Sequence, residues 1–236
     1  MTGHLSAYAE WGTDEWAAYA RALEPLGRVA VRTATMMTSD VEALRPLERV
    51  IVLAGDLTGL PRPPLVPYEA FKRSFQTEPH KIRVLLDWSM LDAHHQAGDV
   101  KVTLHIHGSP RDFHDTFAPW YHRDHLHEAE FDDPDARPWR FSEPDAGSRW
   151  LSSEHQEKIE HFLHDYRRTE PSQPLRLSLA TLDLGDTRAL VLDGNHRLAA
   201  ILRMAMRSHR IRVAEFRLSA PLSRRLLPDL THWHVG

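Results

Sequence analysis

Residues 189–204, ALVLDGNHRLAAILRM, decide the fold of the C-terminal part of the chain. The first four residues are apolar, which is typical of a buried strand. A polar run from Asp193 to Arg197 follows, and apolar residues then recur at helical spacing. The pattern predicts a strand that ends at Asp193, a tight turn at Gly194, and a helix that Asn195 caps.

A turn of this kind can bind an anion. The first N–H groups of a helix have no intrahelical partner, and the helix dipole adds partial positive charge there. Gly194 lets the backbone approach a ligand closely, and the planar guanidinium of Arg197 matches phosphate oxygens. Asp193 could hold a metal ion or a ribose hydroxyl, and His196 could exchange a proton near neutral pH. A purely structural turn, with Asn195 as cap and Arg197 in solvent, explains the same spacing.

The segments around this turn predict a helix, a hairpin and a final strand. A capping box formed by Ser153 with Gln156 opens the helix. In the last strand the alternation of apolar residues changes parity near Ala214, which predicts a β-bulge. The predicted elements are a helix over residues 152–168, strands over 175–179 and 188–192, the helix after Gly194, and a strand over 211–218.

The run Asp193-Gly194-Asn195-His196-Arg197, placed in this order of elements, resembles the Gly-x-x-Arg box of the ParB/sulfiredoxin-like superfamily. The resemblance implies an α+β fold: a ParB/sulfiredoxin-like core, with a small mixed sheet and flanking helices, over residues 149–236. An N-terminal α+β extension or lid would occupy residues 1–148. Members of the superfamily bind a nucleotide or a phosphate at the box. The resemblance therefore implies that Gly194, Asn195, His196 and Arg197 bind the phosphates of a nucleotide.

The known activities of this superfamily include CTP-dependent DNA partitioning, sulfinic-acid reduction and ATP-dependent phosphorylation of free amino acids. The sulfiredoxin branch uses a cysteine in the box, and this chain has no cysteine. Partition proteins continue into a helix-turn-helix domain, whereas about eighteen residues follow Leu218 here. The box is most similar to that of the free amino acid kinases.

The likeness to these kinases implies a set of reactants and catalytic groups. ATP or another nucleoside triphosphate would donate a phosphoryl group to a small amino-acid-like substrate. Asp193 would help to hold Mg²⁺. His196 would be a further catalytic residue, since its ring could exchange a proton. An upstream glutamate would serve as the base, with Glu154 as the candidate and Glu157 as its substitute.

A histidine-rich stretch over residues 105–128 supports a different hypothesis. On a strand, His105 and His107 share one face, and together with His122 they could bind a divalent ion. Without cysteine, any metal site has to use His, Asp or Glu. The chain would then be a His/carboxylate metalloenzyme in which the box orients an anionic substrate. Solvated histidines explain the same composition.

Composition also limits the partners. The formal net charge is -4, whereas a domain that binds a nucleic-acid backbone usually has a basic face. This balance disfavours a further hypothesis, a ParB-like DNA-binding protein or nuclease. No stretch approaches the roughly 18 apolar residues that span a bilayer, and no basic and apolar leader opens the chain. We therefore expect a cytoplasmic protein without a membrane partner.

The pattern before residue 149 predicts further mixed structure. Phe113, Phe117, Trp120 and Tyr121 fall at helical spacing and are expected to pack in the core. The acidic, proline-broken residues 128–147 predict a domain boundary or a long surface loop. Whether the N-terminal part is a lid, a separate domain or part of one sheet is left open. Its other predicted elements are a helix over residues 13–27 and strands over 49–55, 82–88 and 101–107.

Overall fold

The computed structural model describes residues 63, 65–76, 86–124, 127–142, 150–169, 175–204 and 211–232. The predicted helix over residues 13–27, the predicted strand over 49–55 and residues 82–85 of the next strand lie outside them. The strands are β1 (Leu65–Val66), β2 (Lys101–His107), β3 (Phe117–Arg123), β4 (His127–Ala129), β5 (Arg137–Arg140), β6 (Leu175–Gly185), β7 (Arg188–Asp193) and β8 (Ile211–Ser219). The α-helices are α1 (Tyr68–Gln76), α2 (Trp88–Gln96), α3 (Ser153–Arg168) and α4 (Asn195–Arg203).

These strands form one mixed eight-stranded sheet, so the α+β class is confirmed. Its order is β1-β2-β8-β6-β7-β3-β4, and β5 pairs with β3. Strands β6 and β7 form an antiparallel hairpin, β8 is parallel to β6, and β3 is parallel to β7. Strands from both sides of residue 149 share this sheet. In the described part of the chain, no helix is long and apolar enough to cross a membrane.

Both faces of the sheet are covered by helices. On one face, α1 and α2 pack on a core that contains Phe71, Leu91 and Phe216. On the other face, α3 and α4 pack on a core that contains Ile159 and Leu198. We name these the α1/α2 face and the α3/α4 face. Each fully buried side chain of this size contributes roughly 1.5–3 kcal/mol through removal of apolar surface from water.

Burial on both faces explains the parity change in β8. Val213 packs in the core of the α3/α4 face, and Ala214 and Phe216 pack in the core of the other face. Strand β8 pairs with β2 and β6 in continuous register, so the predicted bulge near Ala214 is wrong. A strand between two covered faces need not alternate apolar with polar residues.

Two short strands lie within the acidic stretch that was predicted to be a boundary or a long loop. Strands β4 and β5 both pair antiparallel with β3.

The predicted strand over residues 82–88 does not extend to residue 88, because α2 begins at Trp88. The side chain of Asp87 caps α2 by accepting a hydrogen bond from the N–H of Met90.

Candidate functional site

The turn between β7 and α4 requires glycine. Gly194 is the N-cap of α4, with φ at 92°, and no side chain caps the helix. The prediction that Asn195 is the cap is therefore wrong, because the helix already includes it. A Cβ at Gly194 would lie 2.5 Å from Leu179 Cδ2 and 2.9 Å from the carbonyl oxygen of Ser178. The turn is thus held tightly against β6, and the start of α4 has a fixed position.

Three backbone N–H groups, those of Asn195, His196 and Arg197, lie at the start of α4 before its hydrogen-bond ladder begins. The N–H of Leu198 donates to the carbonyl oxygen of Gly194 over 2.8 Å, which closes the first turn. The N–H groups of Asn195 and His196 precede this bond, so neither has an acceptor within the helix. This arrangement, together with the helix dipole, favours an anion at this point.

Asp193 and Arg197 are joined across the turn. Arg197 Nη2 donates to Asp193 Oδ2 over 3.1 Å, and the two side chains are 20% and 17% exposed. The sequence predicted separate roles for them, a metal ligand and a phosphate ligand. A guanidinium carries five N–H donors, so a bond to a carboxylate is compatible with a second bond to a phosphate oxygen.

His196 is joined to His155 of α3. His155 Nδ1 and His196 Nε2 share a hydrogen bond of 2.8 Å. The indole of Trp120 packs against both rings, with centroid distances of 5.4 Å to His155 and 5.3 Å to His196. Burial, reinforced by the charges of His155 and Lys158, lowers the pKa of His196 to about 4. His196 is therefore neutral at neutral pH.

Glu128 of β4 connects this histidine pair to the start of α3. Its Oε2 accepts a hydrogen bond of 2.6 Å from the N–H of Ser152, and its Oε1 lies 3.3 Å from His155 Nε2. The predicted capping box of Ser153 and Gln156 is wrong, because Ser152 is the N-cap and makes no side-chain cap bond. The carboxylate of Glu128 supplies the negative charge that favours a helix N-terminus.

Glu154, the predicted base, lies in the first turn of α3 but faces solvent. Its side chain is 74% exposed and makes an ion pair of 2.5 Å with Lys158. The hydrogen bond and the charge of Lys158 lower the pKa of Glu154. The charge of Glu154 reaches His196, whose pKa it raises slightly against the dominant effect of burial. Glu157, its substitute, is exposed.

The three histidines of the alternative metal site do not come together. His105 and His107 lie on β2, as predicted, whereas His122 lies on β3. Strands β8, β6 and β7 separate β2 from β3. His122 is 1% exposed, and its ring packs against Trp150 with centroids 5.5 Å apart. No three His, Asp or Glu residues within the described ranges have a geometry that could hold a metal ion.

His107 instead belongs to a polar cluster around Glu215, a residue that the sequence analysis missed. We name Thr181, His107, Glu215 and Arg217 the sheet cluster. Glu215 Oε1 accepts from Thr181 Oγ1 over 2.7 Å and from Arg217 Nε over 3.0 Å. Its Oε2 accepts from Arg217 Nη2 over 3.2 Å and lies 2.9 Å from His107 Nε2.

The electrostatics of the sheet cluster keep Glu215 charged although it is fully buried. Burial raises its pKa, but the bond with His107, the charge of Arg217 and the bond from Thr181 outweigh this and lower it to about 2. Both carboxylate oxygens have two partners within the protein. The charge of Glu215 is thus satisfied by hydrogen bonds within the sheet cluster.

His155 and Glu128 were also missed by the sequence analysis. His155 lies 41 residues from His196, so no local spacing rule joins them. Glu128 lies in the acidic stretch, where no single carboxylate stands out.

Comparisons of the chain with protein-family models, with curated proteins and with solved structures found no match.

Proposed function

We propose that this protein is a nucleotide-dependent enzyme that transfers a phosphoryl group to, or otherwise activates, a small amino-acid-like molecule. The observation that carries the proposal is the start of α4. There Gly194 places the N–H groups of Asn195 and His196 and the side chain of Arg197 at one point, beside a neutral histidine. The resemblance of the box to the ParB/sulfiredoxin-like superfamily supports the same proposal, as does the order β6-β7-α4-β8.

In this proposal the phosphates of ATP or another nucleoside triphosphate bind at the N-terminus of α4. The N–H groups of Asn195 and His196 donate to phosphate oxygens, and Arg197 adds charge-assisted bonds. The rate enhancement comes chiefly from the positioning of the two reactants and from stabilisation of the charge on the transferred group.

In this proposal Asp193 is the candidate ligand of Mg²⁺ at the turn. Asp193 offers a partly exposed carboxylate, and Mg²⁺ in nucleotide sites usually takes one or two carboxylates together with phosphates and water. Asp193 would hold the ion, and bound Mg²⁺ would neutralise part of the phosphate charge.

The acceptor hydroxyl must lose its proton as it attacks the terminal phosphorus. The resemblance points to Glu154 for this role. His196 is the second titratable group beside the turn, and its neutral ring can accept a proton.

Isothermal titration of the full chain with ATP, GTP and CTP, with and without Mg²⁺, tests the proposal. We expect the wild-type protein to bind at least one nucleotide. We expect Arg197→Ala to weaken binding tenfold or more, because a hydrogen bond to a charged group contributes about 1.5–3 kcal/mol. Arg203→Ala, at the other end of α4, is the matched control and should leave the Kd unchanged. Absence of binding, or equal Kd values for wild type and Arg197→Ala, would contradict the proposal.

A further inference from the structure

We propose that Glu128, His155 and His196 form a proton relay, in which His196 receives the proton of the acceptor hydroxyl and Glu128 finally holds it. The inference rests on the proposed function and adds two residues to it. His196 is the catalytic residue, because it would touch the acceptor. His155 and Glu128 act through it and are positioning residues.

The three groups come from three different elements and form a continuous line. Glu128 lies on β4, His155 on α3 and His196 on α4. The contacts are 3.3 Å from Glu128 Oε1 to His155 Nε2 and 2.8 Å from His155 Nδ1 to His196 Nε2. Glu128 is itself fixed by the N–H of Ser152. A chain of contacts this short permits proton transfer along its whole length.

The carboxylate determines which ring nitrogens carry protons. A carboxylate oxygen that accepts a hydrogen bond from His155 requires a proton on Nε2 of that ring, and we assign the proton there. His155 Nδ1 then accepts from the Nε2–H of His196. This leaves His196 Nδ1 unprotonated, and no other described residue makes a hydrogen bond to it. That nitrogen is the position at which the relay can receive a proton.

The transfer step balances in atoms and charge. The acceptor oxygen forms a bond to the terminal phosphorus, while the bond from that phosphorus to the bridging oxygen breaks and its electron pair leaves with the nucleoside diphosphate. The hydroxyl proton moves to His196 Nδ1, the Nε2 proton of His196 moves to His155 Nδ1, and the Nε2 proton of His155 moves to Glu128 Oε1. After product release the proton returns by the reverse route to solvent.

The relay removes the disadvantage of a buried histidine base. A ring that burial keeps neutral is a weak base when it acts alone. In the relay His196 gives up one proton as it receives another, so neither ring has to hold a net charge. Trp120, packed against both rings, reduces the access of water to them. Glu154 lacks these features, because it is exposed and paired with Lys158.

Steady-state kinetics of Glu128→Gln test the relay, with ATP, Mg²⁺ and a panel of hydroxyl-bearing amino acids as reactants. The amide of glutamine cannot hold the proton, and its single oxygen can accept only one of the two hydrogen bonds that Glu128 accepts. We expect kcat to fall at least about tenfold, with the KM for ATP and the titrated Kd unchanged. Glu130→Gln, at an exposed glutamate two residues after Glu128, is the matched control and should keep kcat within about twofold of wild type.

Nitrogen NMR of the histidine rings provides a readout that does not depend on turnover. At neutral pH we expect His196 to be protonated at Nε2 and unprotonated at Nδ1, and Glu128→Gln to change the tautomer populations of His155. ATP binding with a kcat unaffected by Glu128→Gln, or the opposite tautomer of His196, would overturn the relay and leave the proposed function intact. Absence of ATP binding to the wild type would overturn both.

Discussion

The sheet cluster and His196 both lie on the α3/α4 side of the sheet, and burial affects their charge in opposite ways. In the sheet cluster, Glu215 is fully buried and stays charged, because each of its oxygens has two partners within the protein. At the start of α4, burial holds His196 neutral with a pKa of about 4. Only one of its ring nitrogens bonds to another described residue. A buried charge that the protein satisfies contributes to structure, whereas a neutral group with a vacant acceptor can react.

The largest expected loss in the free energy of unfolding comes from a substitution in the sheet cluster. Glu215→Ala removes the acceptor for Arg217 and His107, so we expect the free energy of unfolding to fall by roughly 3–5 kcal/mol, as when one member of a buried ion pair is removed. Urea unfolding followed by circular dichroism measures this. Glu128→Ala should have a clearly smaller effect. If Glu215→Ala lowers the free energy of unfolding by less than about 1 kcal/mol, the sheet cluster contributes little to stability. The contrast between Glu215 and His196 would then not hold.

The turn that starts α4 gives the next largest effect. Gly194→Ala would hold an alanine at a positive φ and bring its Cβ too close to the carbonyl oxygen of Ser178. We therefore expect a loss of about 2–4 kcal/mol in the free energy of unfolding. Gly98→Ala and Gly185→Ala are matched controls, since both glycines have positive φ and nothing lies within 4 Å of an added Cβ. Each should lose only about 1 kcal/mol. Equal losses at all three glycines would show that the close packing of the turn has no energetic role.

The pH dependence of stability should reveal both buried groups. The lowered pKa of His196 means that the unfolded chain binds the extra proton first, so stability falls as the pH drops from 6.5 towards about 4, by roughly 3 kcal/mol. The lowered pKa of Glu215 stabilises the fold above 4.5, and this contribution is lost as the pH falls towards about 2. Unfolding midpoints measured across this range should lose the upper step in His196→Gln and keep the lower one. An unchanged upper step would mean that His196 is not held neutral by burial.

The smallest effect concerns the exposed carboxylate. Glu154→Gln removes a solvent-exposed ion pair with Lys158, and such pairs contribute about 0–1 kcal/mol. We therefore expect a change in the free energy of unfolding of less than about 0.5 kcal/mol, measured by the same urea titration. A larger loss would show that Glu154 supports the site, and the distinction between it and Glu128 would weaken.

The strand, turn and α4 could be predicted because their signals are local. Apolar residues fix the strand and the helix, and Gly194 marks the turn between them. The predicted hairpin is confirmed, and Asp186 and Thr187 have the positive φ values of a tight turn.

Other features depend on pairing between distant segments, which the sequence does not display. Glu128 takes its position from the pairing of β4 with β3, and the contact of His155 with His196 depends on how α3 packs against α4. The aromatic run was misread for the same reason. Trp120 and Tyr121 lie on strand β3 and pack in different cores, so core burial is confirmed but the helical spacing is wrong.

A crystal structure of the full chain with Mg²⁺ and a non-hydrolysable ATP analogue would show whether the start of α4 binds the phosphates. We expect phosphate oxygens within about 2.7–3.2 Å of the backbone nitrogens of Asn195 and His196, with Arg197 bonded to the same phosphates. An analogue that binds elsewhere, while the first turn of α4 contacts only protein, would contradict this expectation.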